Sequence, residues 1–256
     1  FFLHYNLKEL EFKNKTVLIL GGNSDVGKSL AKGFGKLGSN LILTSRKEGQ
    51  IDSFKSDLEI RNEINCDVQL FDVLDFKSHD SFYKNLKTTP DIVITCIGYL
   101  DNQEKSQIDF QESLTSIQTN FTGLVSILNI ISNDFEKRGV GIIVGISSVA
   151  GDRGRGSNYI YGSSKSGFTS YLSGLRNRLS KLDVKVITVK PGFIKTKMTS
   201  HLDLPKILTA TPDDISNDII DSIKKGKTII YSKWFWKWIM LIIKIIPESI
   251  FKKLSI

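Results

Sequence analysis

The sequence predicts a doubly wound α/β domain, a parallel sheet with helices on both faces, and three observations carry that reading. Short β-branched runs alternate with helix-length stretches along most of the chain. Several of those runs are apolar throughout, as strands covered on both faces should be. The first run, 16–20, leads straight into LGGNSDVG, a glycine-rich turn of the kind that opens a helix against a phosphate. A length of 256 residues, 40% hydrophobic and 24% charged, accommodates one such domain with a full core.

Taken in order, TVLIL predicts a strand at 16–20, and the chain after the turn a helix at 26–37. LILT gives a strand at 41–44, followed by a helix at 51–61. CDVQLF gives a strand at 66–71 and a helix follows at 78–86; IVITCI gives a strand at 92–97 and a long helix follows at 112–137. GIIVGI and VKVITV give strands at 141–146 and 184–189, separated by a helix at 161–182. A helix at 212–224 and a strand at 228–231 complete the set. The helices at 161–182 and 212–224 rest on pattern and context rather than on propensity. With no internal repeat or long linker before 230, the expected organisation is one domain over 1–230 and an appended tail over 231–256.

The net charge of +8 invites a nucleic-acid reading until it is located. Residues 224–256 hold eight lysines against Glu248, so seven of the eight net charges belong to the tail and the body is nearly neutral. A nucleic-acid partner, which wants a basic face on the folded domain, is therefore not expected. Cys66 and Cys96 sit far apart in apolar segments with no metal or redox spacing, which fits free thiols in an intracellular protein and no bound metal. The opening FFLHYNLKELEFKNK lacks the pattern of a secretory signal, although the first residue is not Met.

In the glycine-rich turn, Gly21, Gly22 and Gly27 would let the backbone approach a pyrophosphate, with Asn23, Ser24 and Val26 lining the same loop. A turn without ligand has the same local pattern. Asp25 stands where such a loop usually has glycine; it is expected to cap an exposed amide, for instance that of Lys28, and to face away from the phosphates. The second strand ends in Ser45, Arg46 and Lys47, where an NAD site would place an acid. A basic pair there suits the 2′-phosphate of NADPH, Arg46 above all for its planar fork; a solvated loop is the other reading. Asp72 and Val73 follow the third strand, from which a side chain can reach an adenine edge.

Ser148 leaves the fifth strand, and Tyr161 opens a helix 13 residues later with Lys165 on the same face, four positions on. A phenol beside an ammonium has its ionised form favoured, so the Tyr161 pKa is expected to fall toward the working pH. Tyr161 can then pass a proton to a carbonyl oxygen as hydride reaches the carbon, with Ser148 donating to the same oxygen. Asn120, within the long helix, could hold a water relaying protons to Lys165.

The ordered set of glycine-rich turn, N-x-x-G, S-S-x-A-G, Y-x-x-x-K and P-G-x-x-x-T resembles the short-chain dehydrogenase/reductases over roughly residues 14–230. The resemblance implies a Rossmann-like fold, an NADPH or NADP cofactor (NADH and NAD being open), and Asn120, Ser148, Tyr161 and Lys165 as the catalytic four. It also implies that Pro191, Gly192, Ile194 and Thr196 pass the nicotinamide, with Phe193 toward the substrate. The family's usual N-A-G after the fourth strand reads Cys96-Ile97-Gly98, which keeps Gly98 for the cofactor and loses its two neighbours. The turn variant G-G-x-S-D/E-I/V-G, together with Arg153, Arg155 and Ser157-Asn158-Tyr159, resembles one branch. Its members reduce the 2-keto intermediate in the epimerisation of decaprenylphosphoryl ribose to arabinose. On that likeness Arg153 or Arg155 would meet a substrate phosphate, the alternative being a solvent-exposed basic loop.

The tail segment KWFWKWIMLIIKII, residues 233–246, is too short and too interrupted by lysine to span a bilayer. As a helix at 100° per residue it gathers Lys233, Lys237 and Lys244 within about 40° of one another. Snorkelling lysines and Trp234, Trp236 and Trp238 describe a helix lying in an interface. A helix buried between subunits of a homo-oligomer is the competing reading. The expected function is an NADPH-dependent carbonyl reductase acting on a lipid-linked keto sugar at the cytoplasmic face of a membrane, beside an oxidase partner. A reductase of another soluble or lipid-like ketone, or a nucleotide-sensing protein on the same scaffold, are the alternatives.

Overall fold

The computed structural model describes residues 12–254, so the signal-free reading of the chain's opening lies outside the described residues. Strand β1 (Thr16–Leu20) is followed by α1 (Asp25–Lys36), β2 (Asn40–Ser45), α2 (Asp52–Asn62), β3 (Cys66–Leu70), α3 (His79–Lys84) and β4 (Ile92–Thr95). Next come α4 (Gln103–Ser106), α5 (Phe110–Ile117), a π-helical turn (Gln118–Thr122), α6 (Gly123–Arg138), β5 (Val140–Ile146), α7 (Tyr159–Arg178) and β6 (Asp183–Pro191). The chain ends with β7 (Phe193–Ile194), β8 (Thr209–Ala210), α8 (Pro212–Lys224), β9 (Ile229–Ser232), α9 (Trp236–Ile245) and α10 (Glu248–Phe251).

Seven strands form one parallel sheet in the order β3-β2-β1-β4-β5-β6-β9, with β7 and β8 pairing separately as a two-stranded ribbon. The order reverses between β1 and β4, which leaves a crevice at their carboxyl ends, the usual binding place of such sheets. Val17 and Ile19 of β1 face one side and Leu18 and Leu20 the other, each joining a separate buried cluster. α1 and α8 cover the first face; α6 and α7 cover the second through Leu124, Ile127, Leu128, Ile131, Phe168 and Leu172. Each of these fully buried aliphatic or aromatic side chains contributes about 1.5–3 kcal/mol.

All seven expected strands are present, and the differences are local. β4 stops at Thr95; Cys96 still donates its amide to the Leu20 carbonyl at 2.7 Å, and Ile97 and Gly98 beyond it form the lip of the crevice. The long helix runs from Phe110 to Arg138 through the π turn. It is the one helix among the described residues long and apolar enough to cross a membrane, and it is a core helix, with Leu124 through Phe135 packed on the sheet. Cys66 and Cys96 are free, and burial pushes the Cys66 thiol up to about 12.

The tail departs most from expectation. Helix formation begins only at Trp236, after Lys233 adopts φ 55°, in place of one helix from 233. Trp236, Met240 and Phe251 are buried, the first two with Val149 and against Phe193, Leu208 and Tyr231. Residues 236–251 are thus folded onto the carboxyl end of the sheet, beside the crevice.

Candidate active site

The glycine turn follows from sterics. Gly21 adopts φ 88°, a left-handed conformation that side chains resist, and a Cβ there would also lie 3.0 Å from the Cys96 carbonyl group. The Gly21 amide donates to Thr44 Oγ1 at 2.8 Å, which ties the turn to β2. Ser24 caps α1: its hydroxyl accepts from the Gly27 amide at 3.0 Å and donates to the Gly21 carbonyl at 2.8 Å. A Cβ on Gly22 would press on Leu43 at 2.9 Å, and one on Gly27 would collide with the Gly21 carbonyl. Val26 is buried and Asn23 lies half-buried on the turn. The first-turn amides of Asp25 and Val26 remain the orphan donors that every helix start carries, with the positive end of the helix dipole behind them.

Asp25 corrects one expectation. Ser24, not Asp25, is the cap, and Lys28 donates its amide to the Ser24 carbonyl at 2.8 Å. The Asp25 carboxylate accepts instead from the amide of Lys197 at 2.7 Å, fastening the turn to the loop after β7.

At the end of β2, Ser45 is buried, with its hydroxyl 2.9 Å from Gln50 Oε1 and 3.0 Å from the Lys47 carbonyl. Arg46 and Lys47 are exposed, and neither forms an ion pair among the described residues. Asp72 is exposed and receives the Leu74 amide at 3.0 Å. Val73 is buried with its carbonyl against Gly123, where a Cβ would collide. His79, which the sequence did not single out, anchors this corner: its ring lies between Ser126 Oγ at 2.9 Å and the Asp72 carbonyl at 3.2 Å. Burial lowers its pKa, which keeps the ring neutral in that role.

The structure brings Asn120, Ser148, Tyr161 and Lys165 to the same crevice. Gly98 is the hub: a Cβ there would lie 3.4 Å from Asn120 Oδ1 and 3.6 Å from Lys165 Nζ. A second set of close approaches holds the Ser148 loop on α7, since a Cβ on Gly162 would sit 2.9 Å from the Ala150 carbonyl. Ser148 Oγ accepts the Ala150 amide at 3.1 Å, which uses a lone pair and leaves its proton to donate outward. Ser147 fixes the base of the lysine, its hydroxyl donating to the Lys165 carbonyl at 3.0 Å. Lys165 is buried, its Nζ 3.4 Å from the Ile146 carbonyl and 5.7 Å from the centre of the Tyr161 ring.

One expectation at these residues changes. Tyr161 is not drawn toward neutral pH: burial pushes its pKa up to about 12, the Ser148 hydrogen bond pulling down and Asp101 adding to the rise. Burial acts on Lys165 in the opposite sense and lowers it to about 8. In both side chains desolvation of the charged form is the largest cause of the shift. The Asn120 side chain is committed to the backbone, its Nδ2 donating to the Tyr99 carbonyl at 2.7 Å and its Oδ1 accepting the Tyr99 amide at 3.0 Å. It therefore fixes the lip of the crevice.

Pro191 is buried at the end of β6, while Gly192, Phe193, Ile194 and Thr196 are half-buried along the same edge. The Thr196 side chain joins Thr199 in a reciprocal cap of the following turn. A Cβ on Gly192 would fall inside the Trp236 indole, and Phe193 meets Trp236 edge-on at 5.7 Å. The Trp236 Nε1–H donates to the Leu208 carbonyl at 3.2 Å. The tail thus supplies a wall of the crevice, a role without a local sequence signature.

Arg153 is the third correction. Its guanidinium is spent on the tail, donating to the carbonyls of Ile243 at 2.5 Å and Ile246 at 2.6 Å and pairing with Glu248 at 2.9 Å. Phe251 stacks 3.6 Å away. Next to it Asp152 accepts from the buried Lys190 at 2.5 Å and from Tyr231 Oη at 2.7 Å. Arg155 is different: its Nε is buried without a partner, as are Gln103 Nε2 and Asn158 Oδ1 nearby in the chain and across from it on α4.

The comparisons with known proteins bear on this arrangement. Residues 15–206 match the short chain dehydrogenase family. The chain belongs to that family. An uncharacterized oxidoreductase of Mycobacterium tuberculosis is 26% identical over 241 residues, spanning 93% of this chain and 96% of its own. An NADP-dependent 3-hydroxy acid dehydrogenase of Schizosaccharomyces pombe is 25% identical over 231 residues, 84% of this chain and 89% of that one. Among solved structures, a Burkholderia cenocepacia short chain dehydrogenase in complex with NADP superposes with a TM-score of 0.82 at 15% identity, covering 96% of this chain and all of its own. A Sphingobium yanoikuyae short-chain dehydrogenase in complex with NADPH gives 0.79 at 20%, covering 92% and 97%. At those identities the superpositions speak for the fold, and the family match carries the assignment to an NAD(P)-dependent oxidoreductase. The residues present fit such a dinucleotide: a glycine cradle before orphan amides, an unpaired basic pair after β2, and a Gly98 whose missing side chain leaves Lys165 approachable.

Proposed function

We propose that the protein is an NADPH-dependent carbonyl reductase whose substrate is a keto sugar carried on polyprenyl phosphate, at the inner face of the cytoplasmic membrane. The observation that carries the reaction is the convergence of Ser148, Tyr161 and Lys165 on one crevice next to Gly98. A bound NADPH supplies the hydride. Tyr161, held neutral by its raised pKa, donates its proton to the carbonyl oxygen, and Ser148 donates a hydrogen bond to that same oxygen. Lys165, charged below about pH 8, then favours the phenolate that Tyr161 has become. Exposed Arg46 and Lys47 support NADPH over NADH, and solved neighbours that hold NADP and NADPH point the same way.

The lipid-linked sugar rests on different support. The crevice wall of Phe193, Trp236 and Met240 suits an apolar carrier. A ketone of this kind is made by oxidising the alcohol, so a partner oxidase belongs upstream. The test offers the keto product of a polyprenyl-phosphoryl ribose oxidase and follows NADPH consumption. Turnover with the wild type and none with Tyr161→Phe is the expected result; no turnover beyond that of Tyr161→Phe sinks the substrate. The fission-yeast relative favours a second reading, a soluble 3-hydroxy acid, which the same assay run in the oxidative direction detects.

A further inference from the structure

Helix α9 has two faces and the fold uses one of them. Trp236 and Met240 face the crevice wall, whereas Trp238, Leu241, Ile242 and Ile245 on the other side are exposed, Ile245 by 71%. Trp234, just before the helix, is 73% exposed. A second apolar segment borders the first: Ile207, 81% exposed, precedes Leu208, whose carbonyl receives the Trp236 indole. Met198 and Leu202 on the same loop are exposed as well. The charge around these side chains is predominantly positive, Asp203 being the one acid of the loop. Lys233, Lys237, Lys244, Lys252 and Lys253 of the tail and Lys195, Lys197 and Lys206 of the loop form no ion pair among the described residues. The tail's one acid, Glu248, is taken by Arg153.

We propose that the exposed face of α9 and the loop 195–208 form a single docking surface for an anionic lipid bilayer, with the catalytic crevice opening beside it. The proposal deepens the lipid-linked reading of the substrate and rests on it. A ten-residue helix is about 15 Å long, half of what a bilayer core requires, so α9 lies in the headgroup plane. Exposed tryptophans beside unpaired lysines match that depth and an anionic surface. A second copy of the chain fits poorly, because a two-fold interface through this face would set its lysines against the same lysines. The surface is rigidly coupled to the chemistry. Arg153 binds the carbonyls that end α9 and stands five residues after Ser148. Docking would then hold the crevice about one helix diameter, ~10 Å, from the headgroups, within reach of a lipid-borne sugar.

Vesicle sedimentation of the full chain, without cofactor or substrate, tests this. The chain should pellet with vesicles of phosphatidylcholine and phosphatidylglycerol, and much less with phosphatidylcholine alone. Trp238→Ser, Ile242→Asp and Ile207→Asp should each weaken partitioning roughly tenfold or more, from the apolar burial lost. Lys237→Gln and Lys244→Gln should cost about fivefold each on anionic vesicles only, from about 1 kcal/mol per lysine. Trp238→Ser and Ile242→Asp should keep the wild-type melting temperature and the turnover of a small soluble ketone, which shows that they fold. A wild-type chain left in the supernatant with both vesicles overturns the proposal. So does loss of a dimer in sedimentation equilibrium on Ile242→Asp, which would make this face a subunit interface. Wild-type binding by Ile207→Asp overturns the composite surface. A chain that docks but leaves the polyprenyl-linked ketone untouched refutes the substrate alone; one that reduces it in detergent without docking refutes the surface alone.

Discussion

At Tyr161 and Lys165 burial acts on two protons in opposite directions. Desolvation disfavours charge, so it raises the phenol to about 12 and lowers the ammonium to about 8. The phenol is therefore protonated across the physiological range, as a donor for reduction must be, and the lysine is the group that titrates near working pH. We expect kcat/KM for ketone reduction to fall as pH rises through about 8, where Lys165 loses its charge. A profile of kcat/KM against pH that stays flat to pH 10 contradicts this. The same shift is a stability cost, with a definite sign. The folded pKa lies below the ordinary 10.5, so the unfolded chain binds more protons between about 8 and 10.5 and stability rises with pH through that window. Below about 8 the full penalty is present, of the order of a few kcal/mol. Lys165→Met should accordingly be inactive yet more stable than the wild type in urea at pH 7, the gap closing by pH 10.5. Their spacing within the ordered set of motifs names these two residues, since four positions on a helix put both side chains on one face. Spacing could not give their titration, because burial depends on Gly98, Gly162 and the strands around them.

Among the elements, those whose pattern is local were legible and those held by distant partners were not. Strands β1, β4 and β5 are largely apolar because both of their faces are covered, and that composition is visible in the chain. The pattern carries β4 two residues past its end at Thr95, because the apolar run continues where the chain turns into the lip of the crevice. The resemblance offers Arg153 or Arg155 to a phosphate, with an exposed basic loop as the alternative, and nothing near Arg153 in sequence reveals that its partners lie about ninety residues on. In the structure it satisfies the last carbonyls of α9, which a helix otherwise leaves open. Replacing it by alanine should free that end. We expect Arg153→Ala to speed hydrogen exchange of the α9 amides roughly tenfold to a hundredfold, from the ~1.5–3 kcal/mol of a charge-assisted contact. The amides of β1 and β5 should keep their protection. Its KM should rise even for a ketone that carries no phosphate, because the wall formed by Trp236 moves. A KM effect confined to phosphate-bearing substrates, with α9 still protected, would restore the direct-contact reading.

For the molecule as a whole, the question is whether the last two dozen residues are a tether or part of the fold. Composition suggested an appendage, since seven of the eight net charges collect there. The packing argues otherwise, with Trp236, Met240 and Phe251 buried and Arg153 bonded to the helix end. Burying three such side chains contributes about 5–9 kcal/mol as an upper bound. That is a large share of the 5–15 kcal/mol that stabilises an ordinary domain. Ending the chain at Ser232 would also expose Val149 beside Ser148 and leave Arg153 without its carbonyls. We expect the 1–232 chain to melt about 10–20 °C below the full chain, on the scale of ~2–4 °C per kcal/mol for a domain of this size. Its loop around Leu208, which loses the Trp236 hydrogen bond, should become a site of rapid proteolysis. A tether would behave differently: the truncated chain would melt within about 2 °C of the parent and lose only its affinity for vesicles. Because the packed face and the proposed docking face belong to one helix, the comparison must include Ile242→Asp, which disturbs the exposed side alone. Unchanged melting for Ile242→Asp beside a large drop for 1–232 assigns the inner face to stability and leaves the outer face for the membrane.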